Sequence, residues 1–100
     1  MTAEIAGLSG NTTMLEELIG QRIVLDLRST FVCLGTLLRM DELYLELKNA
    51  DVHDLRDTQT SRENYVAACC TTGIKRNRKR VAIARAEVVA FSRLEDVIDE

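Results

Sequence analysis

Residues 22–47, RIVLDLRSTFVCLGTLLRMDELYLEL, decide the fold of this chain. In the first part of this stretch, apolar residues occupy every second position, at Ile23, Leu25 and Leu27. The positions around them include the charged residues Arg22 and Asp26. A period of two is typical of a β-strand with one buried face, so a first, half-buried strand is predicted to begin at Arg22.

Two further strands follow within the same stretch. Ser29 and Thr30 predict a turn, and residues 31–40 predict a second strand whose inner face carries Phe31, Cys33 and Leu37. Gly35 predicts a bend there, because a glycine among bulky residues lets a small sheet curl over its core. A third alternating run sets Leu43, Leu45 and Leu47 against Tyr44, Glu46 and Lys48.

Shorter elements are predicted on either side of these three strands. A helix over residues 14–19, capped by Thr12 or Thr13 and ended by Gly20, precedes them, with acidic residues in its first turn where the helix dipole favours them. Two short strands come last, interrupted by a tight connection over residues 85–87. Their apolar residues are Val81 and Ile83 in one strand, and Val88, Val89 and Phe91 in the other.

The remaining segments are polar. Residues 1–11 predict a loose tail, residues 54–79 a variable insertion between strands three and four, and residues 94–100 an acidic tail that adds a helical turn or frays. Within the insertion, residues 65–70 fit either a strand extension or a short helix capped by Ser61. All 100 residues are therefore predicted to form one mainly β domain, a five-stranded, strongly bent antiparallel barrel with a short N-terminal α-helix.

The charge of the chain is acidic on average but locally basic. A net charge of −3 argues against nucleic-acid binding over the whole surface. Residues 75–80 nevertheless contain five of the 13 Lys and Arg residues, namely Lys75, Arg76, Arg78, Lys79 and Arg80. This basic run predicts a phosphate-binding site on a loop, and the alternative is a solvated loop that keeps an assembly soluble.

Membrane, catalytic and metal-binding signatures are sparse. No apolar run approaches the roughly 20 residues that span a bilayer, and the start does not resemble a signal peptide, so a cytoplasmic protein without a membrane partner is expected. His53, the one histidine, is predicted to be a surface residue. Three cysteines without a C-x-x-C spacing predict reduced, buried thiols, at Cys33, Cys69 and Cys70. No enzyme activity, metal site or cofactor is expected.

Residues 15–52 resemble the first motif of the Sm and Sm-like family, which has the same order of helix, three bent strands, insertion and two short strands. Gly35, Leu37 and Asp41 have the spacing of the family's glycine, leucine and aspartate. The second motif is matched less fully, because Ala84 and Arg85 occupy the places of an arginine and a glycine. Alternating apolar residues with one glycine also fit SH3-like and OB barrels.

The resemblance implies a ring of six or seven subunits, in which the fourth strand of one subunit pairs with the fifth strand of its neighbour. A short, uncharged, apolar edge strand invites such pairing, and the alternative is a loop that covers the edge. The implied interface residues are Val81, Ile83, Val88, Val89 and Phe91.

The resemblance also implies that single-stranded RNA, often uridine-rich, binds near the ring pore. Asp41 matches the family, Tyr44 is the candidate for stacking on a base, and Arg85 is the candidate cation. The family's asparagine is missing from residues 41–45. Each residue has an alternative role: Asp41 caps a turn, Tyr44 lies outside the barrel, and Arg85 pairs with Glu87.

Three functions follow from these patterns. The first is a ring of identical subunits that binds single-stranded RNA through the pore residues and the basic run. The second is the same ring without RNA binding, acting as a scaffold for protein partners through residues 54–79. The third is a monomeric SH3-like or OB-type module within a larger machine.

Overall fold

Five antiparallel strands and one α-helix make up the part of the chain that the computed structural model describes, residues 13–98. The strands pair in the order β4-β3-β2-β1-β5. This order confirms the mainly β, five-stranded prediction, and the predicted tail at residues 1–11 lies outside the described residues. The elements are β1 (Arg22–Leu27), β2 (Phe31–Met40), β3 (Tyr44–Asp54), α1 (Arg62–Thr72), β4 (Arg78–Ala84) and β5 (Val88–Arg93).

The inner face of the sheet holds the main core. Its alternating residues Ile23, Leu25, Leu37, Leu45 and Leu47 are at most 1% exposed, as the period of two predicts. The β2–β3 register shifts twice, between Leu34 and Thr36 and between Leu37 and Arg39, and these irregularities bend the sheet.

Gly35 lies close to the backbone of β3, where β2 and β3 pair. A Cβ atom at this position would be 3.0 Å from the Cβ of Ala50 and 3.1 Å from the carbonyl oxygen of Lys48. Glycine is therefore required at this bend by close backbone approach, which agrees with the predicted bend point.

The outer face of β1 and β2 is covered by α1, which settles the structure of residues 65–70 as helix. The Ser61 hydroxyl caps the helix by accepting a hydrogen bond of 3.1 Å from the Asn64 amide, and Gly73, with φ 95°, follows its end. Val24, Val66 and Leu94 pack together in this second core. Strand β1 is thus buried on both faces rather than half-buried, and no helix within residues 13–98 is long and apolar enough to cross a membrane.

Two further details of the sequence prediction are wrong. The N-terminal helix is a single 3-10 turn, Glu16–Leu18, rather than an α-helix over residues 14–19. Leu43 is 69% exposed instead of inward-facing, because it lies in the turn before β3. Strand β3 ends at Asp54, where the predicted insertion begins. At the chain end, Leu94–Asp96 forms the helical turn that was one of the two alternatives.

Candidate nucleic-acid interface

The pairing of β3 with β4 brings the three predicted pore residues together. Tyr44 is the register partner of Ala84, so Arg85 follows directly beside the start of β3. The Arg85 amide donates a hydrogen bond of 2.8 Å to the carbonyl oxygen of Leu43. Its guanidinium donates one of 2.6 Å to the carbonyl oxygen of Asp41, which is 44 positions away in the sequence. Asp41, Tyr44 and Arg85 therefore share one end of the β3–β4 ladder.

The carboxylate of Asp41 caps the turn between β2 and β3. One of its oxygens accepts hydrogen bonds from the amides of Leu43, at 2.8 Å, and Tyr44, at 2.7 Å. These two bonds lower the pKa of Asp41, so the side chain stays ionised at neutral pH. These contacts match the alternative role of Asp41, that of a turn cap. The cap fixes the direction in which β3 begins.

Arg85 is held by the backbone and not by its neighbour in sequence. Within residues 13–98, no ion pair joins it to Glu87, which was the predicted alternative. Instead its charge lies close enough to Glu16 and Asp41 to contribute to the low pKa of both carboxyl groups. The cation is positioned between the N-terminal 3-10 turn and the β2–β3 turn.

Tyr44 lies on the outer surface of the barrel, where 48% of the residue is exposed. It borders a shallow pocket together with Arg39, Asp41, Glu46 and Ala82. Glu46 forms ion pairs with Arg39, at 2.5 Å, and with Arg80, at 3.5 Å. The aromatic ring is therefore accessible and has cations on the same surface.

The basic run lies at the other end of the β3–β4 ladder. Lys75 and Arg76 precede β4, and the other three cations form its first residues, so half of the run is strand and not loop. All five cations are exposed. A second open pocket is lined by four of them, Arg76, Arg78, Lys79 and Arg80, and also by Lys48 and Asn49. Asn49 has φ 50° and lies at the irregularity of β3.

A buried polar network anchors the middle of the basic run. Asp51, which is 3% exposed, accepts hydrogen bonds from the Tyr65 hydroxyl and, at 3.1 Å, from the Asn77 side chain. The Asn77 amide also pairs with both backbone groups of Val52, each at 3.0 Å. Asn77 is thus fixed to β3 while the cations on either side of it face solvent. In the sequence, the signal for this anchor is Asn77, the one residue of the basic run 75–80 with a side-chain amide instead of a positive charge.

His53 is part of the same region, and the prediction of a plain surface residue is wrong. Its ring stacks on Tyr65 with a centroid distance of 3.9 Å and an interplanar angle of 6°. Its Nε2 atom is buried and has no hydrogen-bond partner among the described residues. The stacking occurs because β3 extends to Asp54 and passes beneath α1.

The cysteines are free thiols of differing exposure. Cys33 and Cys69 are buried, as predicted, whereas Cys70 is half-buried. Burial, with a contribution from the charge of Asp51, raises the pKa of Cys33 to about 12, and burial also raises the pKa of Cys69. Within residues 13–98 there is no cluster of three or more His, Cys, Asp or Glu side chains that could hold a metal ion.

The predicted interface residues lie on the two edges of the sheet. Strands β4 and β5 occupy opposite ends of the strand order, so each has one partner within the described chain. Val81, Ile83, Val88 and Phe91 pack their side chains against the core of the same chain. Val89 is 68% exposed. The edges therefore offer backbone groups, exposed alanines and, among the described residues, one large exposed apolar side chain.

Comparisons with known proteins show the fold. The sequence matches no model of a protein family and no curated protein. Its structure is similar to that of the Sm protein of Pyrococcus abyssii in complex with a uridine heptamer, with a TM-score of 0.55 and 16% sequence identity. The similarity covers 82% of this chain and 99% of that one. The chain therefore has an Sm-like fold, as the first-motif resemblance implied.

Proposed function

We propose that this protein assembles into an Sm-like ring of six or seven subunits that binds single-stranded RNA and does not catalyse a reaction. The observation that carries the proposal is the meeting of Asp41, Tyr44 and Arg85 at one end of the β3–β4 ladder. They meet in a fold shared with a protein whose structure contains a uridine heptamer.

The chemistry of this end suits an unpaired base. An exposed tyrosine ring provides a face on which a base stacks, and a guanidinium nearby provides a charge for the phosphate. Arg85 makes one side-chain hydrogen bond within the described chain, to the Asp41 carbonyl oxygen, which leaves other N–H groups for a ligand. The net charge of −3 then restricts RNA to these local sites.

The two sheet edges support the proposed ring assembly. Strand β5 carries apolar residues up to Ser92, and within the described chain its outer edge has no partner strand. Unpaired edge groups in such a strand favour pairing with a second chain, and β4 is the other edge on offer. Head-to-tail pairing of two different edges produces a closed ring when the repeated rotation from one subunit to the next adds up to a full turn. A ring also multiplies weak contacts with RNA.

The first experiment measures molecular mass by light scattering, with a short fluorescent uridine-rich RNA added in the same run. We expect a mass of six or seven chains with RNA in the same peak at low salt, and loss of the RNA as salt rises. Tyr44→Ala is expected to weaken RNA binding without changing the mass, whereas Tyr44→Phe, which keeps an aromatic face, retains it. A mass of one chain would contradict the ring.

The scaffold function is the second candidate, and one observation favours it. The carboxylate of Asp41 is occupied by the turn, and the guanidinium of Arg85 by the carbonyl oxygen of Asp41. In the scaffold function, Asp41 and Arg85 stabilise the fold and do not contact RNA. An assembled ring that ignores RNA at low salt, and whose Arg85→Lys variant behaves as the wild type, would establish this function.

A further inference from the structure

The outer face of β3 and β4 forms a continuous surface between the two candidate sites. Leu45, Leu47 and Val81 pack inward, so their neighbours in each strand point outward. The outward residues form rows across the two strands: Tyr44 with Ala84, Glu46 with Ala82, and Lys48 with Arg80. The tyrosine at one end and the basic residues at the other therefore share one face.

This face is flat beside the aromatic ring and positively charged beyond it. The β4 partners nearest to Tyr44 are alanines, so no long side chain of β4 covers the ring. Arg39 extends the surface across β2, because it is the register partner of Glu46 and is 80% exposed at its side chain. Arg39, Lys48 and Arg80 outnumber the single carboxylate of Glu46.

We propose that single-stranded RNA lies along the outer face of β3 and β4, with a base stacked on Tyr44 and the backbone directed toward Lys48 and Arg80. This inference rests on the proposed RNA-binding function and defines the path of the ligand. Lys48 lies four positions along the strand from Tyr44, which is about 13 Å at about 3.3 Å per residue. The strand thus continues past a single stacked base toward the basic run.

The chemistry of the face selects a single strand over other polyanions. An exposed aromatic face binds unstacked bases, and paired bases in a duplex have no free face to offer. An acidic peptide satisfies the cations but leaves the tyrosine unused. RNA uses both features of the surface at once.

Glu46 competes with RNA phosphates for the cations on this path. Its two oxygens accept hydrogen bonds from Arg39 on one side and from Arg80 on the other, so part of the positive charge of this face is neutralised. The carboxylate also repels phosphate from the middle of the face. Glu46→Gln is therefore expected to tighten RNA binding by about two- to threefold and to steepen its salt dependence. Unchanged or weaker binding in this variant would contradict the proposed path.

A cation outside the path provides the matched control for Arg80. Arg80 points outward with Lys48 in the β3–β4 ladder, whereas Arg22 is exposed at the start of β1. We expect Arg80→Ala to reduce the slope of log affinity against log salt by about 0.7 for each phosphate that the variant no longer binds. Arg22→Ala, which removes the same charge from β1, is expected to change the slope little. Equal effects of the two variants would show diffuse attraction and overturn the path.

A steric variant separates this inference from the proposed function. Ala82→Glu places a large anion beside Tyr44, and Ala68→Glu makes the same change on the exposed side of α1 as a control. Ala82→Glu is expected to weaken binding of a labelled uridine-rich RNA at least about fivefold at unchanged mass.

Two outcomes distinguish the path from the proposed function. RNA binding that survives Ala82→Glu but is abolished in Tyr44→Ala and Arg85→Ala would overturn the path and leave the proposed function standing. A wild-type ring without RNA binding would overturn both.

Discussion

The hydroxyl of Tyr65 donates a hydrogen bond to the carboxylate of Asp51 and thereby ties α1 to β3. Asp51 is buried and Tyr65 is half-buried, so the bond is largely shielded from water. Burial, together with this bond to Asp51, raises the pKa of Tyr65, and the phenol therefore stays protonated as a donor at neutral and moderately alkaline pH.

Removing this donor is expected to destabilise the fold. Tyr65→Phe leaves a buried carboxylate with one partner fewer, and hydrogen bonds to charged groups are worth about 1.5–3 kcal/mol. Urea denaturation followed by circular dichroism measures the free energy of unfolding. Tyr44→Phe is the matched control, because the same hydroxyl is removed from an exposed tyrosine, with an expected change within about 0.5 kcal/mol. Equal effects would show that the bond to Asp51 adds no stability.

Acid is expected to destabilise the protein through Asp54. Hydrogen bonds from Arg56, with a further one from Thr30, lower the pKa of Asp54. A carboxyl group whose folded pKa is depressed stabilises the fold at neutral pH, and this contribution disappears as pH falls below about 4 toward the folded value. The Asp54→Asn variant should therefore lose less stability between pH 5 and pH 2 than the wild type. Asp57→Asn controls for removing a nearby carboxylate, and an unchanged pH profile in Asp54→Asn would refute the prediction.

The bend at Gly35 is expected to be intolerant of a side chain. Gly35→Ala places a Cβ atom 3.0 Å from the Cβ of Ala50, inside the core, and such overpacking costs about 1–3 kcal/mol. Adding Ala50→Gly removes that neighbour but leaves the Lys48 carbonyl oxygen at 3.1 Å, so the double variant is expected to recover stability in part. Thermal unfolding of the wild type and the two variants measures the difference. Full stability in Gly35→Ala would mean that the two strands separate at little cost.

A charge on the edge of β5 is expected to block assembly. Val89 is 68% exposed on this edge, and a lysine there discourages pairing with another strand. Val89→Lys should lower the mass measured by light scattering while the circular dichroism spectrum stays unchanged. Ile98→Lys is the control, since Ile98 is 75% exposed but lies outside the strand. If both variants keep the wild-type mass, the edge of β5 is not the assembly surface.

Local patterns in the sequence were sufficient to predict most of the strands. The starts and ends of β1 and β2 follow from alternation and from the turn at Ser29 and Thr30, because the period of side chains in a strand is a local property. The cap at Ser61 was also recognisable. The choice between helix and strand for residues 65–70 was not, since a short segment with apolar residues fits both, and packing against Val24 and Leu94 decided it.

By itself the sequence determined the extents of β1 and β2, where the sheet bends at Gly35, and where positive charge is concentrated. These properties depend on neighbours a few positions apart. Only the tertiary structure decided that Tyr44 shares a face with Lys48 and Arg80, and that Asn77 is anchored to Asp51. Both relationships depend on the register between β3 and the segment that enters β4. That register is fixed by pairing between residues far apart in the sequence, 25 positions for Val52 and Asn77 and 40 for Tyr44 and Ala84, which no local period encodes.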